Sequence, residues 1–311
     1  MPTAFLTHPD CHRHEMGAGH PECPQRLAAI EDWLLASGID VALQRVEARK
    51  VRQEELVPAH HPAYVDRLLD SLAHCEGLGE RRALDPDTIA GPGTYQAALR
   101  AAGAAVQATD MVIDGEVDNA FCAVRPPGHH ATRGEAMGFC FFNNVAVAAR
   151  HALEVRGLER VAIVDFDVHH GNGTEDIIAN DKRVLMVSIF QHPLYPGSGC
   201  EPLGTNMVNL PVPPYTRGPE VRALIDEHWM PALEAFKPEM IFISAGFDAH
   251  REDDLGQMGL VEADYAWITE RLMQVAERHA NGRIVSCLEG GYALDALARS
   301  VGAHLKVLAG I

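Results

Sequence analysis

Short apolar runs alternate along the chain with longer stretches in which apolar residues return at helical spacing. AFLT (4–7), VALQRV (41–46), NAFCAV (119–124), VAIVDF (161–166), VLMVSIF (184–190), EMIFISAGFD (239–248) and RIVSCLEGGY (283–292) read as strands. CPQRLAAIEDWLLASG (23–38), HPAYVDRLLDSLAHC (61–75), the alanine-rich TYQAALRAAGAAVQATDMVI (94–113), CFFNNVAVAARHALEV (140–155) and a segment from 293 onward read as helices. The strands are nearly continuous in apolar residues, so both their faces need cover. The pattern predicts an α/β fold: a single domain over 1–311 with a mostly parallel sheet of about eight strands, flanked by helices on both faces. CEGLGERRALDPDTIAGPG (75–93) reads as a surface loop near a rim.

Polar residues collect where the strands end: GHH after one, DFDVHHGNG after another, then QHPLYPG, GFDAH and EGGY. In a parallel sheet the carboxyl ends share one rim, and sites form there. Buried charge without a partner is costly, so these side chains need each other, a metal, or both. Asp167 and His169 stand two apart, which in an extended segment directs them to one side. A carboxylate and an imidazole make half a site for zinc or a similar divalent ion, and Asp248 supplies a third ligand from another strand. Two Asp and one His leave coordination positions open for chemistry. Asp165 lies on the same side as a second anion, able to orient a histidine or contact a monovalent cation.

His129 and His130 are adjacent, and each ring needs a partner for its far nitrogen; Asp165 and Asn172 are the candidates. One ring can take a proton while the other stabilises developing charge. Tyr292 can donate to an oxyanion when a carbonyl carbon becomes tetrahedral. His170 is expected to pack or to hydrogen-bond away from the metal, because neighbours in an extended segment face opposite ways. Cys11, His14, His20 and Cys23 could be written as a structural zinc site, but their spacing matches no finger pattern. No nucleophile elbow and no glycine-rich phosphate loop is present.

Composition narrows the partners. Lys+Arg number 26 against 43 Asp+Glu, a formal charge of -17, which argues against direct nucleic-acid binding and leaves room for a cationic or neutral substrate. The seven cysteines include no CxxC pair, as expected of reduced thiols in a cytoplasmic protein. No signal-peptide pattern opens the chain, and no apolar run approaches the roughly 18–20 residues of a membrane span. Homo-oligomerisation is not readable from the sequence.

Taken together, RPPGHH, DFDVHHGNG, GFDAH and EGGY resemble the histone deacetylase and acetylpolyamine amidohydrolase family, on the arginase–deacetylase fold. HPECPQRL (20–27), PGHHA, GFCFFNNVAVAA, YPGSG and SAGFDAHREDDLGQM match it in order, over roughly residues 5–305. Asn172 in HHGNG resembles the class II branch and its bacterial relatives. The resemblance implies Asp167, His169 and Asp248 as zinc ligands, His130 as principal general base and acid, and His129 as its electrostatic neighbour beside Asp165. It implies Tyr292 as the oxyanion donor, Phe139 and Tyr195 as tunnel walls, and Arg26 beneath the centre at an internal cavity. A structural potassium ion would use Asp165, Asp167 and the backbone of His169, with Ser188 and the backbone of Ile189. The implied activity is a zinc-dependent deacetylase that removes an acetyl or other short acyl group from acylated lysine or a similar primary amine.

Polyamine-selective relatives place a glutamate where this chain has Leu255, so acetylpolyamine hydrolysis is the runner-up. A non-catalytic acyl-amine-binding module and an arginase-like ureohydrolase are remoter alternatives. Asp85 and Asp87 fall in the loop that in relatives grips the substrate backbone. Asp253 and Asp254 are expected to attract a cation at the mouth.

Overall fold

The computed structural model describes residues 2–311. Its strands are β1 (Thr3–Thr7), β2 (Leu43–Glu47), the short hairpin pair β3 (Arg82–Ala83) and β4 (Ile89–Ala90), β5 (Asn119–Cys122), β6 (Val161–Asp165), β7 (Val184–Gln191), β8 (Met207–Val212), β9 (Met240–Ala245) and β10 (Ile284–Leu288). All but the hairpin pair form one sheet in the order β2-β1-β5-β10-β9-β6-β7-β8. Every neighbouring pair in that sheet is parallel. The five strands β5, β10, β9, β6 and β7 are buried at every position, as strands covered on both faces must be.

The helices are α1 (Gln25–Ala36), α2 (Gln53–Leu56), α3 (Pro62–Leu78), α4 (Thr94–Ile113), α5 (Asn144–Glu154), α6 (Asn172–Ile178), α7 (Gly218–Leu224), α8 (Met230–Phe236), α9 (Glu262–His279) and α10 (Leu294–Ala309). The alanines of α4 serve close packing as well as propensity. A Cβ built on Gly103, in mid-helix, would lie 2.0 Å from the Arg49 carbonyl oxygen, so the loop after β2 rests against the helix backbone itself.

Four expectations need correction. The helix expected from Cys140 begins at Asn144, because the Asn143 side chain accepts the Ala146 N–H and caps it there; Cys140–Phe142 stay in the loop. β8 was not expected: Pro211 weakens its strand pattern, and it is tolerated because β8 is an edge strand. No helix was expected over 218–236, where α7 and α8 are joined by a widened π-helical turn at Ile225–Trp229, or over α9. The supposed loop 75–93 is partly ordered, since α3 runs on to Leu78 and the β3–β4 hairpin follows.

The crossovers from β5 to β6 leave a gap that β9 and β10 later fill. The five segments that follow β5, β10, β9, β6 and β7 therefore emerge side by side on one rim. These are the segments that carry the polar clusters.

Candidate active site

Asp167 and His169 leave the end of β6, and Asp248 leaves the end of β9, its immediate neighbour. His169 Nδ1 lies 3.0 Å from Asp167 Oδ1 and 3.2 Å from Asp248 Oδ2. Among the described residues this is the only group of three or more His, Cys, Asp or Glu whose ligand atoms converge, all within 4.8 Å of one another. Asp248 Oδ1 accepts the Val168 N–H, but Oδ2 is buried without a hydrogen-bond partner. Burial, then the charge of Asp167, pushes the Asp248 carboxyl up to about 7. Burial opposes ionisation of Asp167 too, but His129 and His169 hold it below the usual carboxylate range.

The three side chains fit a divalent cation. An orphaned carboxylate oxygen, a second carboxylate and an imidazole face one point, and the donor set is one that zinc accepts. The backbone makes room for them. A Cβ on Gly290 would stand 2.1 Å from Asp248 Oδ2 and 2.6 Å from Asp167 Oδ2, so only glycine fits there, and its N–H donates to Asp167 Oδ2 at 2.8 Å. The residues expected to hold potassium come from the end of β6 and from β7. Asp165 accepts Asp167 N–H and His129, and Ser188 Oγ bonds to Asn209 Oδ1.

The histidine pair stands beside this cluster, with ring centroids 4.0 Å apart and His130 5.9 Å from His169. Each ring has the orienting partner the sequence suggested. His129 Nδ1 donates to Asp165 Oδ2 at 2.9 Å, and His130 Nδ1 donates to Asn172 Oδ1 at 2.8 Å. The Asn172 amide nitrogen points at Met137 Sδ, which leaves its oxygen for His130. Burial disfavours charge on both rings, but Asp167, Asp165 and Glu289 raise the His129 pKa well above the ordinary value. His130 goes the other way: burial, then His129 and His169, hold it well below. His130 is thus the neutral ring with a free Nε2.

Above them lies a cavity of about 250 Å³ lined by His129, His130, His169 and Tyr292, and by Phe139, Tyr195, Leu194, Leu255 and Asp87. Tyr195 packs edge-on to His130 at 5.1 Å, and Phe139 packs edge-on to Tyr292 at 6.0 Å. Asp87 stands at this cavity and Asp85 beside it; partial burial and Asp85 push the Asp87 carboxyl up to about 6. Asp253 does not serve the mouth as expected. It is buried, and it accepts the backbone N–H of Tyr292 at 2.6 Å, of Ala293 at 2.9 Å and of Leu255 at 3.0 Å.

Cys11, His14, His20 and Cys23 do not form a metal site. His14 bonds to Thr94 and lies 3.4 Å from Glu22, while His20 packs edge-on to Phe139 at 4.7 Å and meets the Asp87 carbonyl. His170 bonds to Glu175 at 2.8 Å, away from the ligands. Arg26 lies fully buried beneath Tyr292, with its guanidinium 4.9 Å from the ring centroid. It donates to the Gly291 and Glu289 carbonyls and to Glu22. Glu22 is also clamped by Arg125 through both carboxylate oxygens. Glu22, Arg125 and Glu289 were not singled out by sequence. A carboxylate closing an apolar strand, as Glu289 closes β10, is the same signal that marked Asp165.

The chain's likenesses to known proteins run along its whole length. A family model described as "Histone deacetylase domain" matches residues 20–308. A protein of Archaeoglobus fulgidus named "Probable deacetylase" is 39% identical over 303 residues, covering 95% of this chain and 82% of that protein. The "Histone deacetylase-like amidohydrolase" of Pseudomonas aeruginosa is 39% identical over 282 residues, covering 88% of this chain and 73% of its own. Among solved structures, the crystal structure of the HDA15 HD domain aligns with a TM-score of 0.91 at 35% identity, covering 99% of this chain and 88% of that one.

Proposed function

This chain belongs to the histone deacetylase family, and from that premise we propose that it is a zinc-dependent amidohydrolase that removes an acetyl or other short acyl group from an acylated lysine side chain or a similar primary amine. The observation that carries the reading is the convergence of Asp167, His169 and Asp248, whose Oδ2 completes no hydrogen bond, at a cluster that reaches the aromatic-walled cavity through His169. Asp167, His169 and Asp248 would hold the ion, which when bound supplies a Lewis acid and an acidified water.

The chain's own groups supply the rest. Phe139 and Tyr195 wall a passage that takes an alkyl chain and strips water from the amide. His130, neutral and oriented by Asn172 through Nδ1, accepts the proton of the attacking water at Nε2. His129, oriented by Asp165 through Nδ1, stands beside the negative charge that develops. Tyr292 remains protonated, its pKa raised by burial against the pull of Arg26, and so can donate to the oxyanion. The histidine pair then returns a proton to the departing amine. The products are acetate and a free amine.

Leu255 at the cavity is apolar, where an acidic group would be needed to select a second ammonium of a polyamine, so acetyl-lysine substrates are favoured over acetylpolyamines. The test is acetate release from acetyl-lysine peptides, acetylcadaverine and acetylspermidine, with metal content measured on the same protein. Zinc-dependent release, fastest from the lysine substrates, is expected. No release from any of them by zinc-loaded protein would overturn the reading.

A further inference from the structure

Glu289 hands on no proton in the steps above, yet it touches the segment that performs them. It follows the last residue of β10 and has no exposed surface. Its Oε2 accepts the backbone N–H of Gly128 at 2.7 Å and of His129 at 3.1 Å, and its Oε1 accepts the Ser244 hydroxyl at 3.0 Å. Among the described residues no backbone carbonyl accepts either amide. Buried amides of an irregular loop need an acceptor, and here one side chain serves two in succession.

The same short stretch fixes the metal-ligand side. Glu289 N–H donates to the Ala245 carbonyl at 2.9 Å, and Gly290 N–H donates to Asp167 Oδ2 at 2.8 Å. From beneath, Arg26 donates to the carbonyls of Glu289 and Gly291. Residues 289–291 therefore set the height of the histidine loop relative to Asp167, two parts that come from different strands.

We propose that Glu289 is a positioning residue for the histidine pair, its carboxyl fixing the Gly128–His129 backbone and hence the rings that receive and return the proton. The chemical part rests on the deacetylase reading; the anchoring rests on geometry alone. The anchor depends on acceptor placement rather than charge, since a carboxyl or an amide oxygen can both receive the two N–H groups. Glutamine at this position keeps the anchor. Methionine, of similar length, fills the space without an oxygen.

The test pairs hydrogen exchange with kinetics on zinc-loaded wild type, Glu289→Gln and Glu289→Met. In the wild type the Gly128 and His129 amides are expected to exchange slowly. Glu289→Met is expected to speed their exchange and to lower kcat by about tenfold to a hundredfold, with KM within about threefold and metal content unchanged. Glu289→Gln is expected to keep exchange slow and kcat within about threefold of wild type. Fast exchange of both amides in the wild type, wild-type kcat in the methionine variant, or equal impairment of both variants would each overturn the proposal. Should the methionine variant not fold, wild-type exchange and the glutamine variant still decide it. Exchange as expected in a wild type that hydrolyses no acylated amine would sink the enzymatic reading and leave the anchor standing.

Discussion

Glu22 and Asp248 are both carboxylates with no exposed surface, yet their surroundings differ in kind. Glu22 sits between two guanidinium groups, Arg26 and Arg125, with His14 3.4 Å away, and Arg125 holds its carboxyl well below the usual range despite burial. Asp248 has one backbone N–H on Oδ1 and one imidazole nitrogen 3.2 Å from Oδ2, which completes no hydrogen bond, and it faces another carboxylate. Among the described residues neither Asp248 nor Asp167 hydrogen-bonds to an arginine or lysine. Burial of charge alone thus marks nothing. The cluster that is complete holds the fold together, and the cluster that is short of positive charge is the one that calls for an ion.

Changing one carboxylate in each cluster should produce opposite signatures. Asp248→Asn should lose bound zinc and cut deacetylation by at least about 10³-fold, since a Lewis acid supplies several kcal/mol at the transition state. The same change should leave the chelated protein at least as stable as wild type in a thermal melt, because it removes a carboxyl whose ionisation burial and the facing Asp167 oppose. Wild-type zinc content in that variant would break the contrast. Glu22→Gln should do the reverse, costing about 3–5 kcal/mol in urea unfolding by leaving two buried guanidinium groups unbalanced. Its zinc content should stay at the wild-type level while the protein is folded.

Tyr292→Phe separates the ion from the groups around it. Turnover should fall by roughly 10²–10³ with zinc retained, the cost of one oxyanion donor. Undiminished turnover would remove Tyr292 from its role. The smallest effect belongs to Asp87 at the cavity, which is neutral below about pH 6 and charged above it. KM for a cationic acylated amine should therefore rise as pH falls from 7 to 5, by at most about fivefold for a pair that water still reaches. Asp87→Asn should flatten that rise, and an unchanged pH profile in the variant would exclude Asp87 as its source.

Much of this was legible because the signals are local in the chain. Asp165, Asp167, His169, Asp248, His129, His130 and Tyr292 all interrupt apolar runs at strand ends, and a parallel sheet puts those ends on one rim. Asn172 and Asp165 were recoverable as ring partners because each histidine must satisfy two nitrogens. The anchoring layer was not legible, since nothing near Glu22 in sequence announces Arg125 and nothing near Gly128 announces Glu289. Those pairings exist only once the crossovers have been made. β8 was obscured by Pro211, while α9 carries a plain helical stripe at Tyr265, Ile268, Leu272 and Val275 that a reading centred on strand ends passes over. Asp253 was misassigned for a related reason: an acidic residue near a mouth reads as bait for a cation, but its backbone partners turn it inward.

That inward turn ties two properties usually tuned separately. One carboxylate grips the peptide of Leu255 and the peptide of Tyr292, and both of those side chains line the cavity. A redesign that reshapes position 255 to admit a bulkier acyl group pulls on the same peg that seats the phenol, so altered selectivity and altered speed will arrive together unless Asp253 is held still.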